Sequence, residues 1–297
     1  MTAGAGERLD LYLVRVGFAA SRRDARELIE RGAVRINGRR SPKGAVVASA
    51  DRVEVLDEWR PKTILPNSEL PLEVLYEDGA LIVVNKPGGI PCHPLKPEEL
   101  ATVMNAVVAR YPETASIGDK PLEGGLVHRL DNGTSGALIV ARTAEAHHAL
   151  RRALRRGDVA RRYQALVAGK MAAPLDLNEP IGHHPRSAKR MAIAGAAAGP
   201  RLKGRLAATH VEPLRAIGAF TLVRVEPRTG SRHQIRVHLA NAGHPIVGDA
   251  LYGGPHSDAL APGRFWLHLA ELGLESPASG RIEVRAPLPV DLQTLLD

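Results

Sequence analysis

Two uninterrupted apolar runs, "ALIVV" at residues 80–84 and "GALIVA" at 136–141, most constrain how this chain folds. Each is too short for a buried helix, and turn formers bound both: Lys86-Pro87-Gly88 follows the first and Asn132-Gly133 precedes the second. Runs of this length and flanking read as strands inside a sheet. "LEVLYED", "RRYQALVAG", "AFTLVRVEP", "FWLHLAEL" and "RIEVRAPLP" add further strands. "ATVMNAVVARY" and "RHQIRVHLANAG", the latter ended by Gly243, predict helices. So does "AEAHHALRRALRRG", which sets Ala146, Ala149, Leu150, Ala153 and Leu154 inward and Arg151, Arg152, Arg155 and Arg156 on its other face. The order lacks regular strand–helix–strand alternation, which argues for an α+β fold with a mixed, largely antiparallel sheet over residues 71–297. The Ala/Gly-rich "AIAGAAAGPRLKG" reads as a loop.

The first sixty residues read as a separate, small α/β module. "ERLDLYLVRVG" places Leu9, Tyr12, Leu13 and Val16 at helical spacing before Gly17. "SRRDARELIERG" opens on a Ser21-x-x-Asp24 capping pattern, aligns Ala25, Leu28 and Ile29, and stops at Gly32. "AVRINGRR" predicts a strand entering an Asn37-Gly38 turn, with "DRVEVL" as the return. Residues 7–56 thus form one unit, and the charged, proline-containing "DEWRPKTILPNSEL" at 57–70 reads as a linker.

With 297 residues and 44% hydrophobic content, the chain can bury the cores of two domains. Its formal net charge of +8 favours a polyanionic partner, and arginine, whose planar fork matches phosphate oxygens, supplies most of the cations. Arg22, Arg23, Arg26, Arg31, Arg35, Arg39, Arg40 and Lys43 crowd into the first module, which points to nucleic acid rather than a merely solvated face. No aromatic platform accompanies them, so contacts to phosphate and shape are expected rather than base reading. The single cysteine, Cys92, excludes an intrachain disulfide. No eighteen-residue apolar run or leader-like start is present, and a cytoplasmic protein with no membrane partner is expected.

Several chemistries lack their parts. There is no H-E-x-x-H, and His233 and His238 diverge by about 140° around a helix, so no metal site is expected. Glycine-rich phosphate or dinucleotide cradles and a G-x-S-x-G elbow are also missing. What remains is a carboxylate among cations in "GGLVHRLDNGTSGALIV". Asp131, Tyr163 and Arg236 each fall at the edge of an element, where functional side chains gather. A guanidinium would keep Asp131 ionised and aim it. Taken singly, these residues read first as a structural ion pair, a core tyrosine and, at Thr134-Ser135-Gly136, a turn.

The combination changes this reading. "GGLVHRLDNGTSGALIVART" resembles the H-R-L-D-x-x-T-S-G motif of the RluA-type pseudouridine synthase family. "EDGALIVVNKPGGIPCHP", "RRYQALVAG", "EPIGHHPRSAKRMAIA" and "TGSRHQIRVHLANAGHPIVGDALYG" resemble the family's other segments, and the likeness spans about residues 71–290. The leading module, in "RLDLYLVRVGFAASRRDARELIERGAVRINGR", is similar to the small RNA-binding fold of ribosomal protein S-four, the α-L motif.

The resemblance implies an isomerase that converts uridine to pseudouridine in RNA by base flipping, without a cofactor. It makes Asp131 the catalytic aspartate, as nucleophile or base. Tyr163 would pack on the target base, Arg236 would hold Asp131, and Arg129 would fill the stack vacated by the flipped nucleotide. His128, Thr134 and Ser135 shape the loop, while His93, His233 and His238 are expected to make hydrogen bonds or RNA contacts. Arg22, Arg23, Arg26, Arg39, Arg40 and Arg232 would contact RNA. Large-subunit ribosomal RNA is the preferred target, with transfer RNA second, and the protein is expected to be a monomer. Three departures from the family pattern occur: Ser231 precedes Arg232 where a basic residue is usual, Cys92 precedes the "HP" pair, and residues 194–199 are Ala/Gly-rich. A non-catalytic RNA-binding or ribosome-assembly protein, and an N-glycosylase, are the competing readings.

Overall fold

A computed structural model of the chain describes residues 6–57, 63–118, 120–194 and 204–296. The chain divides into two compact units, Met1–Lys62 and Thr63–Asp297. The N-terminal unit runs β1 (Glu7–Arg8), α1 (Leu9–Arg15), α2 (Arg22–Glu30), β2 (Val34–Ile36), β3 (Arg39–Arg40), β4 (Val46–Val47) and β5 (Val53–Val55). Leu9, Leu13, Ala25, Leu28, Ile29 and Val34 close a core of its own. The Ser21 hydroxyl accepts from the Asp24 N–H and starts α2 as its sequence predicts. Val16, placed at helical spacing with Leu9 and Leu13, falls just outside α1, which ends at Arg15, and is exposed.

The Asn37-Gly38 turn has positive φ at both residues, 51° and 76°, the geometry that matches the twist of paired strands. It returns at once into β3, whereas the "DRVEVL" segment forms β5 on the opposite edge of β2. The expected return strand is therefore the third strand of the sheet, because the two-residue turn already commits Arg39–Arg40 to pairing.

The second unit comprises β6 (Val74–Glu77), β7 (Leu81–Lys86), α3 (Val103–Arg110), β8 (Ser135–Ala141), α4 (Ala144–Arg156), β9 (Ala160–Ala168), β10 (Leu175–Leu177), β11 (Ile181–His183), β12 (Met191–Ile193), β13 (Thr209–Ile217), β14 (Phe220–Pro227), α5 (Gln234–Asn241), β15 (Leu267–Ser276), β16 (Gly280–Arg285) and α6 (Val290–Gln293). Among the described residues one nine-stranded sheet runs β10-β13-β14-β9-β15-β8-β7-β6, with β16 also paired to β15. Every ladder in it is antiparallel except β8 with β15, so the sheet is mixed and largely antiparallel. Every residue of β8 is buried, as is all of β7 but Asn85. β13 was hidden in the sequence by Pro213, which the sheet tolerates at a register shift between Pro213 and Arg215. Residues 63–70, read as the end of the linker, pack on this unit: Ile64 is buried, and the Asn105 side chain donates to the Leu65 carbonyl. Residues 58–62 of the linker, and residues 195–203 of the Ala/Gly-rich segment, lie outside the described residues.

The parallel junction of β8 and β15 stands beside the turn that carries Asp131, and it depends on two features. Gly136 has φ +116°, and a β-carbon there would lie 2.2 Å from the Leu269 carbonyl oxygen, which is backbone and has no room to retreat. Alongside, Arg264 donates to the Ser135 hydroxyl at 2.9 Å, Ser135 lies 2.9 Å from His268 Nδ1, and His268 Nε2 lies 3.2 Å from the Ala286 carbonyl. Since Ala286 only accepts, Nε2 carries the proton and Nδ1 accepts from Ser135. Burial, with Arg264 nearby, pushes His268 from 6.5 down to about 4.

Gly136→Ala is expected to cost about 3 kcal/mol of stability, read as a lowered urea midpoint. A second expectation concerns acid. Between pH 6.5 and about 4 the unfolded chain binds the His268 proton and the native protein does not. Stability contributed by this group is therefore full above about 6.5 and falls as the pH drops toward about 4. Urea titrations of wild type and His268→Gln across this window should show the loss in the first and a flatter profile in the second.

Candidate active site

Asp131 sits in a tight turn just before β8, where its carbonyl accepts from the Thr134 N–H at 3.0 Å. Two buried cations hold this turn by its backbone. Lys86, at the end of β7 and 0% exposed, donates from Nζ to the carbonyls of Pro87 at 2.9 Å, Asn132 at 3.1 Å and Thr134 at 2.7 Å. Arg264 donates to the Gly133 carbonyl and is itself anchored by Asp291 at 2.7 Å. Burial pushes the Lys86 ammonium down to about 8. On the other side, the Cys92 thiol donates to the Leu130 carbonyl and accepts from the Leu130 N–H, fixing the residue before Asp131.

The carboxylate thus presented meets Arg236 from α5. Arg236 Nη1 donates to Asp131 Oδ2 at 2.9 Å, while Nε and Nη2 grip Asp249 at 2.7 and 2.8 Å. The guanidinium is buried between aromatic rings, 4.3 Å from the Phe265 centroid and 5.0 Å from that of Tyr252. Asp131 keeps 27% of its side chain exposed, against 1% for Asp249. Two carboxylates therefore share one cation, and Asp131 is the one that keeps solvent access. α5 is held in place by Gln234, which accepts from Thr229 and Ser231 and donates to the Ala208 carbonyl and Thr209 hydroxyl.

Tyr163 comes from β9, opposite Val225 of β14 and Leu269 of β15. Its phenol is buried and pushed up to about 12, chiefly by burial, with Arg161 opposing and the Asp131 charge reinforcing. A neutral tyrosine therefore sits within the electrostatic reach of Asp131. His128 accepts from the Ile139 N–H and, pushed down to about 3 by burial, then Arg161, stays neutral. Arg129 is exposed, with Nη1 3.4 Å from His93 Nε2. Arg232 is also exposed and donates to the Ala188 and Lys189 carbonyls. His238 is internal, bonded to Thr209 and the Glu179 carbonyl.

His233 approaches the site more closely than its sequence position indicated: its Nε2 is 3.9 Å from Asp131 Oδ1. Lys86, Asp249, Tyr252 and Arg264 are the other neighbours that sequence reasoning did not single out. Lys86 left one signal, a lysine continuing an apolar strand into Pro-Gly; Asp249 and Tyr252 stood inside the quoted "HPIVGDALYG" segment without an assigned role.

In the N-terminal unit Arg22, Arg23, Arg26, Arg39 and Arg40 are all exposed. Arg8, Arg22 and Arg26 converge on the buried Asp10 carboxylate at 3.0, 3.1 and 3.2 Å, which holds it well below the usual carboxylate range. A fan of exposed guanidiniums is thus gathered by one buried acid.

Comparison with known proteins identifies the family. Residues 80–241, more than half of the chain, match the family described as RNA pseudouridylate synthase, and residues 7–42 match the S4 domain. An uncharacterized RNA pseudouridine synthase of Chloroflexus aurantiacus is 41% identical, over 98% of this chain and 89% of its own length. The ribosomal large subunit pseudouridine synthase D of Yersinia pestis is 35% identical, over 98% of this chain and 90% of its own. Among solved structures, human RNA pseudouridylate synthase domain containing 1 aligns with a TM-score of 0.61 at 27% identity, covering 78% of this chain and 90% of that one. With the family match over more than half of its length, an S4 domain preceding it in sequence, and relatives this similar along nearly the whole chain, the protein belongs to the RNA pseudouridine synthase family, a family of isomerases.

Proposed function

We propose that the protein isomerises specific uridines of large-subunit ribosomal RNA, with Asp131 as its essential acid. The observation that carries the catalytic part is the shared guanidinium. Arg236 binds Asp131 Oδ2, no hydrogen bond to Oδ1 forms among the described residues, and 27% of the side chain is exposed. A carboxylate so held is aimed by its partner, and exclusion of water around it raises its reactivity. The target uridine is extruded from its stack, at a cost of a few kcal/mol, and Arg129, exposed beside the turn, takes its place.

In the reaction the bond from ribose carbon 1 to uracil nitrogen 1 breaks, the ring turns in place, and carbon 5 bonds to carbon 1. The carbon 5 proton leaves and nitrogen 1 gains one, so no atom is gained or lost. Asp131 acts at the sugar, either by attacking carbon 1 or by removing a ribose proton. Tyr163 packs against the base and assists loss of the carbon 5 proton. With its phenol pushed up to about 12 by burial, Tyr163 is a neutral hydrogen-bond donor against the base, and the carbon 5 proton goes to another acceptor.

The choice of ribosomal RNA rests on the two-unit layout and on the Yersinia pestis relative, whose name specifies the ribosomal large subunit. Transfer RNA ranks second. The cationic fan of the S4 domain supplies phosphate contacts, and the protein acts as a monomer.

Asp131→Asn should retain RNA affinity and lose pseudouridine formation by more than about a thousandfold. Chemical mapping of pseudouridine on a large-subunit RNA transcript decides this, and undiminished conversion by the variant removes the proposal. Release of free uracil with an abasic site would instead identify a glycosylase. RNA affinity should fall linearly on a log–log plot against salt, and Arg22→Ala with Arg23→Ala should reduce the slope by about 2. A salt-independent affinity would contradict the phosphate-contact reading.

A further inference from the structure

His233 occupies a place that its role in the fold does not explain. It precedes α5 with φ +55°, in the left-handed region that a residue with a β-carbon enters at a cost. Strain of this kind persists where the surroundings over-determine it, and here they do. His233 Nδ1 lies 2.8 Å from the Tyr252 hydroxyl, and that hydroxyl accepts from the Met191 N–H at 2.9 Å. The tyrosine's own proton has no other acceptor among the described residues, so it goes to Nδ1, and the histidine's proton sits on Nε2. Burial, with Arg236 and Arg232 nearby, pushes His233 down, against the pull of Asp131, and favours this neutral form.

The Nε2–H therefore faces Asp131 Oδ1, the oxygen that Arg236 leaves unused, across 3.9 Å. That separation is too long for a hydrogen bond. It is, however, the span of two legs of about 2.8 Å meeting near a right angle, so one oxygen could bond to both ends. Such a group must accept from the histidine and donate to the carboxylate through the same atom. Among the groups an RNA nucleotide carries, a hydroxyl does this; phosphate and ether oxygens only accept, and the uracil edge places its donor and acceptors on different atoms.

We propose that His233 and Asp131 bracket the ribose 2′-hydroxyl of the target uridine, which accepts from His233 Nε2–H and donates to Asp131 Oδ1. The inference rests on the reading of Asp131 as the group acting at the sugar. Under either form of that chemistry, the hydroxyl on carbon 2 adjoins the bond being broken. His233 then has two tasks: it registers the sugar against the carboxylate, and it selects RNA over DNA, since the 2′-hydroxyl is what separates them. Tyr252 is a positioning residue that acts through the histidine by fixing which nitrogen carries the proton.

The test uses the full chain under single-turnover conditions and a synthetic RNA stem-loop containing a uridine that the wild type converts. The same stem-loop with 2′-deoxyuridine at that position is the partner substrate. The wild type should be slowed by the missing hydroxyl roughly ten- to a hundredfold. His233→Asn, in which asparagine tolerates the left-handed backbone but its shorter amide does not span Tyr252 and Asp131 together, should be slower on the ribose substrate. Its deoxy penalty should shrink to less than about threefold. Tyr252→Phe leaves the histidine and the ring over Arg236 in place, and should show a penalty between the two. A deoxy penalty equal to the wild type's in both variants, or no penalty in the wild type, overturns the proposal. A wild type that converts no uridine in any stable RNA overturns instead the reading of the site on which it stands.

Discussion

One guanidinium organises the catalytic unit. Arg236 is buried, and burying a lone cation is prohibitive unless charge and hydrogen bonds surround it. Its Nε and Nη2 are consumed by Asp249, two aromatic rings cover its faces, and Nη1 is left for Asp131. Asp249 satisfies the buried cation at one edge, and this frees the opposite edge to orient a partly exposed acid. Either carboxylate alone would leave the cation half satisfied. The pair of them fixes a direction as well as a charge.

The same logic governs the turn before β8. Its carbonyls point inward and would be orphaned, and Lys86 and Arg264 collect them. Arg264 then links through Ser135 and His268 to the β15 side of the parallel junction. The acid's position is thereby tied to the pairing of two strands in the centre of the sheet, and Gly136 permits their close approach. Rigid elements, rather than the loop's own preferences, set where the carboxylate points. In the N-terminal unit Asp10 applies a related device to a different end: it gathers three arginines whose outer edges remain in solvent.

Much of the secondary structure was legible because it follows local rules. The apolar runs at 80–84 and 136–141 are buried strands, α2 begins on the Ser21 cap, and α5 stops at Asn241, just before the left-handed Gly243. β13 escaped because Pro213 disguised it, and the order of the small sheet was misjudged because both flanking segments suited β2. Asp131 and Arg236 were singled out from motif likeness, and they meet although 105 residues separate them. His233 was read only as a hydrogen-bonding or RNA-facing residue. No spacing rule told that its backbone would turn left-handed and bring its ring to the carboxylate.

What the sequence by itself determined is the list of elements, the division into a basic S4 domain and an α+β unit, and the chemical types available to the site. Periodicity, caps and turn residues act over a few neighbours, and so survive translation into a string. Only the tertiary structure decided which of two carboxylates stays open and which is sealed, which cations gather backbone carbonyls, and which imidazole faces the acid. Those outcomes depend on burial and on hydrogen-bond partners supplied by distant strands, and neither exists until the sheet has closed.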